Sequence, residues 1–339
     1  MNKHILVLLL FLNITLTFAQ DIYEYEKEIT HKNNYQFTEF KFAKNDENIS
    51  LFGTLIEPKL NYDKIVFIVS GTGPHTRNAH NYLTEELLLN NIAVFRFDKR
   101  GTGKSEGTYS NQPTTYIKDL YNILSEFKTD FSDKKIGIIG HSLGGIAAIG
   151  SIQKGLNIDF LIQWSTPVGN YGDFIKYQLT SRYTNKELNN LFKTKDSKEI
   201  DEIIHMVQAT VFANSNKEYA DIYDAVEKKA KEKGFKEKQF RRLVVNPDNM
   251  DLMKYNFDST YKNLEIPTLY IIGSKDSFVN PEKTKETFEA YHNSNITFTM
   301  FDGLNHYLTN TGEITKITNE LYKMDEKAKS TIINFIKKQ

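Results

Sequence analysis

The residue of this chain with the clearest capacity for chemistry is a serine between two glycines. Ser142 is at the centre of the stretch 140–144, which reads G-x-S-x-G. The apolar run 136–139 before it is typical of a strand buried on both faces, and residues 146–149 favour a helix. Such a strand-to-helix turn exposes its central side chain above the sheet edge, and flanking glycines allow close approach. A bare match arises by chance, but this local context makes Ser142 a candidate nucleophile.

A serine hydroxyl is a weak nucleophile that needs a base, and the base needs a carboxylate to orient it. His306 fits the base because it lies in the loop after the last predicted strand. Asp276 fits the carboxylate because it follows the preceding strand. Parallel strands bring their carboxyl-terminal loops to one edge of a sheet, so the order Ser142, Asp276, His306 predicts a catalytic triad.

Both partners of Ser142 have alternatives. His306 could be an ordinary loop histidine, and Asp276 could cap the helix that starts near residue 281. Asp302 is a rival carboxylate, but it lies in the same loop as His306 and would reach the far side of the ring with difficulty. His141, next to Ser142, is expected to be structural. Four other histidines lack a suitable place at the sheet edge or a metal-binding spacing: His75, His80, His205 and His292.

Acyl transfer also requires N–H donors for the negative charge that develops on the carbonyl oxygen. One donor is expected to be the backbone N–H of Leu143, at the start of the helix after the serine. The second is expected from the loop 71–73, with the N–H of Thr72 as the candidate.

Alternating strand and helix patterns predict the framework that holds these residues. Up to residue 167 the alternation favours right-handed βαβ units in a mostly parallel sheet. An antiparallel hairpin is expected over 36–58. Further strands are predicted at 64–69, 92–97, 136–139, 158–164, 268–272 and 296–301, and helices at 78–91, 113–130, 281–291 and 325–337.

Residues 168–262 interrupt this alternation, because they contain helical stripes and no convincing strand. We interpret them as an inserted helical cap between a first core part, 20–167, and a second core part, 263–339. The Lys-rich run 228–233 suggests an anion site only in isolation, since interleaved glutamates make it a solvated helix face.

Several function classes are disfavoured. The loop 98–105 resembles a phosphate-binding loop, but the Walker pattern requires glycine where Asp98 stands, and a carboxylate repels phosphates. A tight turn braced by Asp98 and Arg100 is the favoured interpretation. Basic and acidic residues both number 43, which gives no general argument for nucleic acid or an anionic membrane. The absence of cysteine excludes disulfides and thiolate metal sites.

The N-terminus reads as an export signal. Lys3 and His4 precede an apolar run, and small residues around Ala19 precede Gln20, which together match a signal peptide. A membrane anchor is the alternative, but Asn13 interrupts the run and leaves it too short to span a bilayer. We expect a signal peptide at 1–19, cleavage near Gln20, and a periplasmic or extracellular protein.

Together these stretches resemble the α/β-hydrolase superfamily, and most closely its serine aminopeptidase and monoacylglycerol lipase-like group. The resemblance implies an α/β-hydrolase fold, a lid formed by 168–262 that shapes acyl or leaving-group specificity, and no cofactor. The chain departs from the common pattern at Ser70, where many members have histidine. The resemblance covers about residues 50 to 337 and rests on 70–74, 98–105, 140–145, Asp276 and His306.

The sequence leaves three functions open. The first is an exported esterase that forms an acyl-enzyme on Ser142, and the second is an aminopeptidase with the same triad. The peptidase would need a cap carboxylate for the substrate ammonium, for which Glu187, Glu202 and Glu218 are available. The third is a catalytically silent binding module, which the intact triad disfavours. The expected partner is a small ester or a short peptide, with no nucleic acid, no metal and no stable membrane anchor.

Overall fold

The computed structural model describes residues 23–43, 47–312, 314 and 317–339, and the predicted signal peptide lies outside them. None of the helices in these described ranges is long and apolar enough to cross a membrane. The strands are β1 (Tyr35–Phe42), β2 (Leu51–Pro58), β3 (Lys64–Val69), β4 (Ala93–Phe97), β5 (Lys135–His141), β6 (Phe160–Trp164), β7 (Thr268–Gly273) and β8 (Ile296–Phe301).

The helices flank the sheet or lie between β6 and β7. The flanking helices are α1 (Asn81–Leu89), α2 (Pro113–Phe127), α3 (Leu143–Gln153), α11 (Pro281–Tyr291) and α12 (Glu326–Lys337). Those between β6 and β7 are α4 (Tyr171–Arg182), α5 (Asn185–Phe192), α6 (Ser197–Ala213), α7 (Tyr219–Glu232), α8 (Glu237–Val244), α9 (Pro247–Leu252) and α10 (Asp258–Lys262). Short 3-10 helices occur at Lys32–Asn34 and Asn319–Tyr322.

Within the described residues the strands form one sheet in the order β1-β2-β4-β3-β5-β6-β7-β8. β1 pairs with β2 and β2 pairs with β4 in antiparallel fashion, whereas every later pair across the sheet is parallel. The predicted hairpin and the predicted mostly parallel sheet are both confirmed. Because the parallel strands run the same way, the loops that follow them emerge at one edge of the sheet.

The central strands of the sheet are buried on both faces, as β3 illustrates. Ile65, Phe67 and Val69 belong to an apolar cluster that includes side chains of α2 and α3. Val66 and Ile68 point the opposite way, into a cluster that includes side chains of α1 and α12. This double burial explains why the central strands read as continuous apolar runs rather than as alternating patterns.

The helices between β6 and β7 contain an apolar cluster of their own. Ile203 and Val207 of α6 pack in it with Ile222 of α7 and Phe240 of α8. The Lys-rich run of α7 forms exposed ion pairs along its helix, including Lys229–Glu232 at 2.9 Å and Lys231–Glu227 at 3.0 Å. The interpretation of this run as a solvated helix face is therefore confirmed.

Glycines allow β5 and α3 to approach each other closely at the turn that carries Ser142. A Cβ atom on Gly144 would lie 2.1 Å from the carbonyl oxygen of Val69. A Cβ atom on Gly140 would lie 2.5 Å from the Cα atom of Gly145. Both obstacles are backbone atoms, which cannot rotate away, so these positions exclude any side chain.

We therefore expect Gly144→Ala to destabilise the protein by about 2 kcal/mol or more, as measured by urea unfolding. Gly150→Ala, in the same helix, is the matched control. Its Cβ atom would meet the flexible end of the Ile117 side chain, at 2.3 Å. That contact can relax, and alanine gains helix propensity over glycine. Equal effects of the two substitutions would show that backbone approach is not the constraint at Gly144.

Candidate active site

Ser142 lies on the turn between β5 and α3, in a backbone conformation that most residues avoid. Its φ is 53° and its ψ is −118°. The turn is held from the neighbouring strand, because the Ser142 backbone N–H donates to the Trp164 carbonyl at 2.8 Å. Since α3 begins at Leu143, the side chain of Ser142 lies at the amino end of a helix, where backbone N–H groups lack helical acceptors.

Asp276 and His306 are in direct contact at the same edge of the sheet. Asp276 Oδ2 lies 2.8 Å from His306 Nδ1, and both side chains are buried. The other carboxylate oxygen of Asp276 accepts the backbone N–H groups of Phe278, at 2.8 Å, and Val279, at 2.9 Å. On the histidine side, the His306 carbonyl accepts the Trp164 indole N–H at 3.1 Å. Both residues are thus oriented by contacts outside the pair.

Other contacts account for the alternatives considered for Asp276 and Asp302. The side chain that caps α11 belongs to Asn280, which accepts the Lys283 backbone N–H at 3.1 Å. Asp302, the rival carboxylate, accepts a hydrogen bond from the Ser274 hydroxyl at 3.1 Å. The carboxylate that faces the His306 ring is that of Asp276.

A cavity of about 510 Å³ opens over this edge of the sheet. Ser142, His306, Leu143 and Thr72 all line it, and Asp276 lies behind His306. The loop of Thr72 packs directly on the serine, because a Cβ atom on Gly71 would lie 3.3 Å from the Ser142 Cβ atom. The structure therefore brings all the residues of the predicted site to one place.

A residue that the sequence analysis missed holds the loop 71–73 in place through hydrogen bonds. Lys99 follows β4, and its amine donates to the carbonyls of Gly71, at 2.9 Å, and Gly73, at 3.2 Å. The amine also lies 4.4 Å from the centre of the Tyr116 ring. Burial lowers the pKa of Lys99 to about 7, against a smaller opposing effect of the Asp248 carboxylate. The sequence around Lys99 carries no local signal for this burial.

A group of histidines is buried beside His306. His141 stacks on Trp164 with ring centres 4.2 Å apart, and its ring centre is 5.1 Å from that of His306. Burial holds the pKa of His141 well below its usual range, which favours its neutral form and suits a structural role. His75, which was not expected to serve as the base, also lines the cavity. Burial lowers the pKa of His75 to about 3.

The helices between β6 and β7 supply the far wall of the cavity. α4 contributes Phe174, Gln178 and Arg182 to that wall. Among the described residues that line the cavity, the acidic one is Asp248. The three glutamates considered for binding an ammonium group do not line it: Glu187, Glu202 and Glu218.

The architecture and the sequence together define the class of protein. A mostly parallel sheet with a serine on the turn after a central strand is the architecture of the α/β hydrolases. A family model described as "Serine aminopeptidase, S33" matches residues 61–313. The chain belongs to this hydrolase family.

Solved structures with similar folds agree with this class. An esterase of Pyrococcus furiosus has a TM-score of 0.58 and 20% identity, covering 94% of this chain and 98% of that one. A bromoperoxidase of Bacillus anthracis has a TM-score of 0.52 and 18% identity, covering 88% of this chain and all of that one (100%). At these identities the likeness concerns the fold.

The chain is also similar to protein phosphatase methylesterase 1 of Candida albicans. It is 29% identical over 126 residues, which make up 35% of this chain and 34% of the relative. The match thus spans about a third of that protein's length.

The buried amine of Lys99 gives a prediction for stability against pH. Its pKa falls from 10.5 to about 7 on folding. Between these values the unfolded chain holds a proton that the folded protein has released, so the free energy of unfolding rises with pH. Lys99→Met removes this contribution, so the wild type should gain stability relative to the variant from about pH 7 to pH 10. Urea unfolding of both proteins across this range measures the difference.

Lys104→Met provides the control, because Lys104 lies in the same loop but is exposed. The free energy of unfolding of the Lys104→Met variant should change with pH as it does in the wild type. If Lys99→Met keeps the wild-type slope, the Lys99 amine remains charged in the folded protein.

Proposed function

We propose that this protein is an exported serine hydrolase that cleaves carboxylic esters through an acyl-enzyme on Ser142. The observation that carries the proposal is the 2.8 Å contact between Asp276 and His306, beside a cavity that His306 and Ser142 both line. A histidine oriented in this way can serve as a base for a hydroxyl in the same cavity.

In the first half-reaction, His306 accepts the Ser142 hydroxyl proton on Nε2, the ring nitrogen opposite the one that faces Asp276. The serine oxygen forms a bond to the ester carbonyl carbon, and the carbonyl oxygen takes up the negative charge. The intermediate then collapses, the bond to the alcohol oxygen breaks, and His306 returns the proton to the leaving alcohol. Water repeats the sequence on the acyl-enzyme and releases the acid.

Asp276 and the backbone donors act on the charges that this sequence creates. The Asp276 carboxylate stabilises the imidazolium and keeps Nε2 turned towards the cavity. The N–H groups of Leu143 and Thr72 are the proposed donors to the oxyanion. Loss of one such donor costs about 3 kcal/mol of transition-state stabilisation.

We expect Ser142→Ala to lower kcat for 4-nitrophenyl esters by at least about 10⁴-fold, because no other group forms the acyl-enzyme. Its thermal unfolding should stay close to that of the wild type. Ser197→Ala, at the exposed start of α6 and outside the cavity, is the control and should retain activity. A fluorophosphonate probe should label the wild type and not the variant. An unlabelled wild type would favour a silent binding module.

An aminopeptidase remains the second candidate, favoured by the family description and by one acidic residue in the cavity wall. The candidate for holding a substrate ammonium is now Asp248 rather than a glutamate of the cap. Burial raises the pKa of Asp248, which weakens it as an anion for this purpose. In the same assay series, faster turnover of aminoacyl 4-nitroanilides than of esters would favour the peptidase.

Export is also part of the proposal, on the strength of residues 1–19 alone. We expect the protein to be recovered from the periplasm or the medium with an N-terminus near Gln20. N-terminal sequencing of the exported protein measures this, with a chain that starts at Gln20 as the unexported control. Retention of residues 1–19 in a membrane fraction would instead indicate an anchor.

A further inference from the structure

A second cavity, of about 340 Å³, lies among the cap helices next to the catalytic cavity. We call it the cap groove. Its walls include Gln178, Arg182, Asn246 and Asn249, and these same residues line the cavity of Ser142. Because the two cavities share these wall residues, they adjoin each other, and a substrate that extends from Ser142 past these side chains would enter the cap groove.

The cap groove is basic. Arg182, at the end of α4, and Arg242, in α8, both line it, and none of the described residues that line it is acidic. In the described part of the chain, neither guanidinium forms an ion pair with a carboxylate. By contrast, the adjacent Arg241 lies outside the cap groove and pairs with Glu237 at 3.6 Å. Two unpaired guanidinium groups in one groove favour an anionic occupant.

Arg182 also lies close to the proposed chemistry. Its guanidinium carbon is 4.7 Å from the centre of the Phe278 ring, and that ring centre is 4.8 Å from the His306 ring centre. Phe278 thus lies between the Arg182 guanidinium and the imidazole, and it contacts the guanidinium through a cation–π interaction. A small substrate whose ester carbonyl lies at Ser142 could therefore place its other end at Arg182.

The remaining walls of the cap groove are largely apolar, with side chains of Leu179, Leu191, Phe192 and Leu243. The charge of Asp248 lies in the catalytic cavity and outside the cap groove. An elongated substrate would therefore place an apolar body along these leucines and an anionic end at the arginines. Guanidinium groups bind carboxylates through two parallel hydrogen bonds, so a carboxylate fits these arginines.

We infer that the cap groove is a subsite for a carboxylate, and that preferred substrates are esters with an apolar body and a distal carboxylate. This inference rests on the proposed esterase function and narrows its substrate class. The carboxylate can belong to the acyl half or to the alcohol half of the ester, and the experiment has an arm for each.

The test compares matched pairs of esters that differ only in charge. The acyl arm uses mono-4-nitrophenyl adipate against the corresponding amide, 4-nitrophenyl 6-amino-6-oxohexanoate. The alcohol arm uses the acetate ester of 3-(4-hydroxyphenyl)propanoate against that of the corresponding amide. In at least one arm the anionic ester should have a kcat/KM about tenfold higher, mainly through a lower KM, since hydrogen bonds to charged groups contribute that much. Added salt should reduce the preference.

Variants of the arginines test whether these residues cause the preference for anionic esters. Arg182→Gln should bring the ratio of anionic to neutral kcat/KM close to one, and Arg182→Lys should restore part of it. Arg242→Gln should lower the ratio as well. Arg241→Gln, on the same helix but outside the cap groove, should keep the wild-type ratio. Circular dichroism of each variant checks that it is folded.

Two outcomes would overturn the inference. One is equal kcat/KM for anionic and neutral esters in both arms, and the other is a preference that survives Arg182→Gln and Arg242→Gln together. In either case, hydrolysis of the neutral esters that depends on Ser142 would leave the proposed function standing. Absence of all ester hydrolysis would instead remove the proposed function, and the inference with it.

Discussion

The chain passes from β5 into α3 through one residue, and the close approach of the two elements at that point constrains the rest of the site. Gly140 and Gly144 leave room for backbone alone, with Val69 and Gly145 in the space that side chains would need. The turn residue is forced to a φ of 53°, which lifts its side chain above the sheet. Such strain persists only where the surroundings over-determine it, and here the sheet and helix are both buried.

Once Ser142 is fixed in this way, the other parts of the site have to be brought to it. Asp276 and His306 arrive on the loops after β7 and β8, which lie on the same edge because their strands are parallel to β5. The loop at Gly71 arrives from β3 and is held by the amine of Lys99 from β4. The loops after β3, β4, β7 and β8 each contribute one component, so the site depends on how these strands are arranged around β5.

The sequence was sufficient to predict the sheet, and it placed the candidate site residues in loops that follow strands with a clear apolar signal. The bounds of α11 and β8 were predicted to the residue, at 281–291 and 296–301. Apolar periodicity predicted that residues 168–262 are helical, but it could not predict which of their side chains face the cavity. For that reason the acidic residue in the cavity wall, Asp248, was missed in favour of three glutamates.

Lys99 was missed for a different physical reason. In a sequence, a lysine beside Asp98 and Arg100 reads as one more exposed charge in a polar turn. The fold instead places its amine under two carbonyls and over the Tyr116 ring, with its side chain buried. Nothing local in the sequence distinguishes a lysine that is buried by distant elements from one that is not.

The helix α4 joins the proposed chemistry to the substrate wall, and its periodicity explains how. Tyr177 and Ser181 are spaced by one turn, and their hydroxyls donate to the carbonyls of Asp276, at 2.6 Å, and Ser277, at 2.7 Å. The neighbouring row of the same helix is Phe174, Gln178 and Arg182, which lines the cavity. One face of α4 therefore binds the loop of the proposed catalytic carboxylate while the adjacent face lines the cavity. The placement of α4 therefore bears both on the wall of the cavity and on the loop that carries Asp276.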